Sequence, residues 1–215
     1  MEKKKIIWIV TAAALLALAV APALLAWLLL FGRKEERTAE NSPLEGTYYE
    51  PWAEAMRAAE KRLLADPGLR RVETAAADGT RLCADFLPGR GKRAVILVHG
   101  FMTAPTKNFA VMAEDYRAAG FAVLMVHLRA HGPSGGRHGG LGAIESRDVL
   151  AWVRWCEENL PGQELALHGA SMGGTAVHFS MEKADKKEIG RMAHEIATKP
   201  NTMLFAVRRK TGLLI

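Results

Sequence analysis

Three apolar runs, each closed by a glycine-bearing turn, constrain this chain more than anything else in it: "AVILVHG", "FAVLMVHLR" leading into "AHGPSGG", and "ELALHGASMGG". Runs without polar alternation suit strands buried on both faces, as in a parallel sheet covered by helices. Between the first two lies "NFAVMAEDYRAAG", where Phe109, Met112 and Tyr116 recur at helical spacing and Gly120 supplies the stop. Between the second and third, Val149, Trp152, Val153, Cys156 and Leu160 form one stripe ended by Pro161 and Gly162. Strand, helix, strand, helix, strand with short connections predicts an α/β fold, a mainly parallel sheet with flanking helices. Its site is expected at the carboxyl ends of the strands. The glycine motifs all fall there.

Upstream, Trp52, Met56, Ala59 and Leu63 predict a helix over 50–65 with one buried face, stopped by "DPG". The stretch "RVETAAADGTRLCADFLPG" predicts a β-hairpin turning at Asp78 and Gly79, with Leu82, Ala84 and Phe86 alternating in its second strand. Cys83 and Cys156 are the only cysteines, and both read as small core residues.

The N-terminus obeys a different rule. After "MEKKK", residues 6–32 carry no charge. As a helix at about 1.5 Å per residue they would extend roughly 40 Å, enough to cross a ~30 Å hydrocarbon core. A single transmembrane signal anchor is expected; a cleaved signal peptide competes, because Ala19-Val20-Ala21 has the small-x-small form of a cleavage site. Lys3, Lys4 and Lys5 on one side balance Arg33, Lys34 and Arg37 on the other. The α-amine breaks the tie towards an extracytoplasmic domain. The expected divisions are an anchor over 1–32, a linker over 33–47, the α/β part over 48–181 and an atypical tail over 182–215. A formal net charge of +6, spread without a long basic block, gives no expectation of a nucleic-acid partner.

The chemistry centres on "GASMG". Gly169, Ser171 and Gly173 spell G-x-S-x-G between a strand and a helix, the arrangement of a nucleophile elbow. The backbone N–H of Met172, at the helix start, is one oxyanion donor. The "HGFMTAP" loop, the "LRAHGPSGG" loop and "GGLGAIESRDVLAWVRW" together resemble the α/β-hydrolase superfamily over about 49–178. Its closest flavour is the membrane-anchored or secreted hydrolases. The resemblance implies a serine hydrolase acting on an ester, thioester or amide through an acyl-enzyme on Ser171. It implies Phe101 as the second backbone oxyanion donor, and loop scaffolding for Arg129, His131 and Gly132. His99 reads as a buried histidine bonded to loop backbone. Glu145 and Asp148, opening their helix, suit the helix dipole.

Neither a cofactor nor a metal is expected. No glycine turn has the lysine of a phosphate loop, and His127, His131 and His138, the one conceivable metal cluster, have no carboxylate or cysteine interleaved. Partners are expected to be a small-molecule or lipid-like acyl substrate and, through the N-terminal helix, a membrane.

A serine nucleophile needs a base and an acid to orient it, which in this superfamily follow the serine as Asp or Glu and then His. Asp185 and His194 have that order, but they sit in helical sequence directly after the elbow, and His178 lies two turns down the elbow helix. The acid and base are therefore left unidentified. Composition shifts at about Glu182 to a lysine-rich stretch with one strand expected over 202–207. The expectation is a sheet whose C-terminal strands are missing, by frameshift or premature end, leaving an apolar edge. The alternative function is a degenerate, non-catalytic fragment serving as a membrane-anchored binding module, or without function.

Overall fold

The structure, a computed structural model, describes residues 2–30, 38, 44, 46–47, 49–183, 204–209 and 212–214, with side chains described only within 5–27, 38, 44, 46–47 and 49–181. Two units, Met1–Gly32 and Arg33–Ile215, are each compact on their own. The first holds helix α1, Glu2–Leu30, with Pro22 inside it. Its segment Lys5–Trp27 has mean hydropathy 2.4 and is long and apolar enough to cross a membrane, a property that signal sequences share.

The second unit begins with a 3-10 turn, Glu50–Trp52, running into α2, Ala53–Leu64. Ala59 and Leu63 are buried as expected and Met56 is half-buried, but Trp52 is 50% exposed. It belongs to the turn before α2, so the helical spacing that would bury it does not extend that far. The predicted hairpin is present as β1, Arg70–Ala75, and β2, Arg81–Leu87, paired antiparallel. Then come β3 (Arg93–Val98), α3 (Pro105–Ala118), β4 (Ala122–His127), α4 (Glu145–Asn159), β5 (Glu164–Gly169) and α5 (Met172–Lys183).

The sheet is mixed, in the order β1-β2-β4-β3-β5-β6-β7. Its centre, β4-β3-β5, is parallel, and the strands outside it run antiparallel. Parallel pairing is confined to the strands joined through helices, because only a crossover returns the chain in the same direction. In place of the expected open edge at β5, the backbone of β6 (Leu204–Arg209) pairs with it, and β7 (Gly212–Leu214) pairs with β6.

The central strands are buried because each face has its own helical layer. Ala94, Ile96 and Val98 of β3, with Ala122, Leu124 and Val126 of β4, face Trp152 of α4 and Ala176 and Val177 of α5. The alternate residues Val95, Leu97, Val123 and Met125 face Ala59 and Leu63 of α2 and Phe109 and Ala113 of α3. Cys83 and Cys156 are buried free thiols. Apolar burial of this kind contributes about 25 cal/mol per Å².

This arrangement also fixes where a site can form. The crossover from β3 to β4 passes through α3 on one face; the crossover from β4 back over β3 to β5 passes through α4 on the other. The order of strand addition reverses at β3, so the loops leaving β3 and β5 turn to opposite faces of the sheet and diverge outside their carboxyl ends, where a crevice is expected. Val98 is in register with Gly169 across that pair, which sets the two loop starts side by side.

Candidate active site

Among the described residues, four other than glycine have left-handed backbone: Met102 (φ +51°), Ala130 (+59°), Leu141 (+50°) and Ser171 (+51°). All lie in the segments that follow β3, β4 and β5. Such torsions cost on the order of 1–3 kcal/mol each and gather where a loop is over-determined by its surroundings. The strain in the described chain therefore gathers in the loops at the carboxyl ends of β3, β4 and β5.

Ser171 is exposed, in a two-residue turn between Gly169 at the end of β5 and Met172 at the start of α5. The turn is tied down by Ala170 N–H to Val98 O at 3.0 Å, Gly173 N–H to Ala170 O at 2.9 Å and Thr175 N–H to Ser171 O at 3.1 Å. Gly169 and Gly173 are dictated by space. A Cβ on Gly169 would stand 2.4 Å from Gly173 O, and one on Gly173 2.0 Å from Val98 O. Met172 is buried, and as the first residue of α5 it belongs to the turn whose N–H groups lack an acceptor four residues back.

The loop after β3 abuts the elbow: a Cβ on Gly100 would be 3.5 Å from Ser171 Cβ. Gly100 N–H donates to Asn108 Oδ1 on α3 at 3.0 Å. Met102 N–H donates to His131 Nε2 at 3.2 Å, and the His131 Nδ1–H is 3.0 Å from Arg129 O. His99 Nδ1–H donates to Gly100 O at 2.7 Å while its Nε2 accepts from Leu128 N–H at 3.0 Å. Complete burial drives the His99 pKa well below the ordinary value, so its ring is neutral. The rings of His99 and His131 meet edge to face at 5.2 Å. Two buried histidines thus lock the loop after β3 to the loop after β4, with the Gly100–Phe101 peptide between Asn108 and His131. Phe101 itself is half-buried, its ring 6.2 Å from that of His131.

The loop after β4 has its own anchors. Arg129 holds Asp148 through two hydrogen bonds of 2.6 Å and reaches Asp78 of the hairpin turn at 2.9 Å. These bonds, that to Asp148 foremost, push the Arg129 pKa up. Ser134 Oγ donates to His127 O at 2.7 Å and accepts from Cys83 N–H at 2.9 Å, pinning the loop to β2. Glu145, fully buried, accepts from Gly140 and Gly142 N–H at 2.8 Å each. Glu145 and Asp148 do lie in the first turn of α4, but each is spent on a specific loop rather than on the helix dipole alone.

The three histidines of the "HLRAHGPSGGRH" stretch serve different partners. His127 directs Nε2 to Asp85 Oδ2 at 2.9 Å, His131 serves the loop after β3, and His138 is exposed. His178 lies on α5, half-buried, two turns beyond Ser171. Asp185 and His194 lie outside the described residues. Sequence reasoning passed over Asn108 and Leu141. Asn108 had a visible signal, a side-chain acceptor in the first turn of a helix where apolar spacing did not require it; Leu141 had none.

Residues 89–193 match the family described as serine aminopeptidase, S33. No curated protein matches the chain. Among solved structures, an esterase of Pyrococcus furiosus is 26% identical with a TM-score of 0.51, over 54% of this chain and 47% of that one. The α/β hydrolase GrgF of a Penicillium species is 24% identical with a TM-score of 0.50, over 55% of this chain and 42% of that one. This chain thus spans less than half the length of either.

Proposed function

From the premise that this chain belongs to the α/β-hydrolase superfamily, we propose that it is a serine hydrolase cleaving an ester, thioester or amide through an acyl-enzyme on Ser171. The observation that carries this reading is Ser171 itself, an exposed hydroxyl held at φ +51° at the carboxyl end of β5 and against Gly100. A serine in an ordinary tight turn has no need of that torsion or of glycines with no room for a Cβ on either side.

In the reaction, Ser171 Oγ bonds to the substrate carbonyl carbon as its proton passes to a general base, and the carbonyl oxygen takes up the negative charge. The backbone N–H groups of Phe101 and Met172 receive that charge, and a donor fixed in place before the reaction is worth more than one that water must reorganise to supply. Collapse expels the alcohol, thiol or amine with the proton returned to it. Water then repeats the sequence to release the acid. His99 and His131 do not serve as the base, because both nitrogens of each are engaged with backbone. The base and its orienting acid stay unassigned. The match to a serine aminopeptidase family and the likeness to an esterase support hydrolysis while differing in the bond cleaved. Helix α1 supports a single-pass protein, and the α-amine, which tips the otherwise balanced flanking charge, supports a catalytic domain on the extracytoplasmic side.

A fluorophosphonate probe tests the reading directly. Full-length protein is expected to be labelled, and Ser171→Ala to be spared while melting like the wild type. A membrane-impermeant form of the probe, applied to intact cells and then to lysates, reads sidedness at the same time. Folded protein that takes up no label and turns over no short acyl ester would reverse the conclusion in favour of a non-catalytic binding module.

A further inference from the structure

The peptide that carries the Phe101 N–H is held through Gly100 from two sides. Gly100 N–H donates to Asn108 Oδ1 on α3 at 3.0 Å, and Gly100 O accepts from His99 Nδ1–H at 2.7 Å. A peptide unit is planar and trans, so its C=O and N–H point in opposite directions. With Gly100 O turned towards the fully buried His99 ring, the Phe101 N–H points away from that ring. Glycine admits many backbone conformations, so each of the two planes that meet at Gly100 needs an anchor of its own.

Of the two anchors, His99 has a structural duty besides, because its Nε2 ties down Leu128 N–H after β4. Asn108 has no second duty: among the described residues, Gly100 N–H is the hydrogen-bond partner of its side chain. It is half-buried in the first turn of α3, whose core contacts fall to Phe109, Ala110 and Ala113. Asparagine is a poorer helix former than alanine or leucine, so the helix alone would favour either of those. A Cβ on Gly100 would lie 3.5 Å from Ser171 Cβ and 3.8 Å from Asn108 Oδ1. The asparagine therefore grips the loop at the residue that borders the serine.

We propose that Asn108 is a positioning residue for acyl transfer: its Oδ1 fixes the plane before Gly100, so that the plane after it presents the Phe101 N–H to the carbonyl oxygen of the group on Ser171. This rests on the reading of Ser171 as nucleophile and of the Phe101 N–H as oxyanion donor. Asn108 touches no reacting atom. Without its acceptor Gly100 turns about its own bonds, and the donor meets the developing charge out of line.

The experiment compares the rates at which Ser171 of the full chain, in lipid nanodiscs, is labelled by a fluorophosphonate and by its P=S analogue. Sulfur is a weak hydrogen-bond acceptor, so the oxygen-to-sulfur rate ratio reads the donors that face the developing charge. The ratio is expected to fall roughly tenfold in Asn108→Leu and in Asn108→Ala, less than the loss of a whole donor would cause. Alanine suits a half-buried helical position, so that variant serves if leucine prevents folding. Asn108→Asp keeps an acceptor for Gly100 N–H and should stay within about twofold of the wild type. A purely structural asparagine gives a different signature, a lower thermal midpoint with an unchanged ratio. An unchanged ratio in the folded variants, or a ratio lost equally in Asn108→Asp, overturns the role of Asn108 and leaves the nucleophile standing. Folded wild-type protein that reacts with neither probe overturns both.

Discussion

The hairpin turn and the elbow turn both require left-handed backbone, and they obtain it in opposite ways. At the hairpin, Gly79 takes φ +78° and a Cβ there would meet nothing within 4 Å. Ala76 N–H to Thr80 O at 2.9 Å and Thr80 N–H to Asp78 Oδ1 at 3.0 Å complete a relaxed connection. At the elbow the left-handed residue is Ser171, and the glycines flank it where space is lacking. Glycine relieves a torsion in the first turn and crowding in the second. A turn that serves only to reverse the chain has no strain left in it. The elbow keeps its strain on the residue that presents a hydroxyl.

The comparison breaks most sharply at Gly173. Replacing it with alanine forces a methyl against Val98 O, which cannot move without distorting β3. Gly173→Ala should destabilise the chain by roughly 4 kcal/mol or prevent folding, as a core clash with backbone does; denaturant titration measures it. A loss below about 1 kcal/mol would mean that the elbow is as roomy as the hairpin.

Acid offers a second contrast. His168, next to Gly169 in β5, is buried beside Tyr116, whose hydroxyl lies 3.1 Å from Nδ1. Burial lowers its pKa to about 4 from an ordinary 6.5. The unfolded chain therefore binds the proton first as pH falls. The contribution of neutral His168 is complete above about 6.5 and is lost as pH drops towards about 4. Thermal midpoints should fall across that window, and His168→Gln, which keeps an acceptor without titrating, should flatten the slope. Equal slopes in the two proteins would remove the histidine from the account.

The smallest effects carry opposite signs. Gly79→Ala should destabilise by about 1–2 kcal/mol through its torsion alone, whereas Ser171→Gly should stabilise by about 1 kcal/mol while abolishing labelling. Chemical denaturation of the two variants in parallel decides the matter; the same sign for both would sink the distinction between the turns.

Much of the architecture was legible before any coordinates. The run at 94–98 carries no polar residue and the run at 122–127 none until His127, so burial on both faces followed from composition. Asp78 and Gly79 announced the hairpin, and the G-x-S-x-G spacing located the elbow. The tail was less legible. Its composition suggested missing strands, but backbone pairing of Leu204–Arg209 with β5 depends on an open edge elsewhere in the chain. Trp52 was misplaced because a helical stripe does not announce where its first turn begins.

Sequence by itself determined which segments become strands and helices, which faces they bury, and which serine stands in a turn too tight for side chains on either side. These are consequences of spacing within a dozen residues, where the backbone's own periodicity does the selecting. Tertiary structure alone decided that β2 lies against β4, that Arg129 meets both Asp78 and Asp148, that Asn108 holds Gly100, and that Leu141 is fixed in the open beside Thr175. Each of these joins residues whose separation along the chain carries no information about their distance in space. They are settled only when the sheet closes on its two helical layers and every buried donor and acceptor must find a partner.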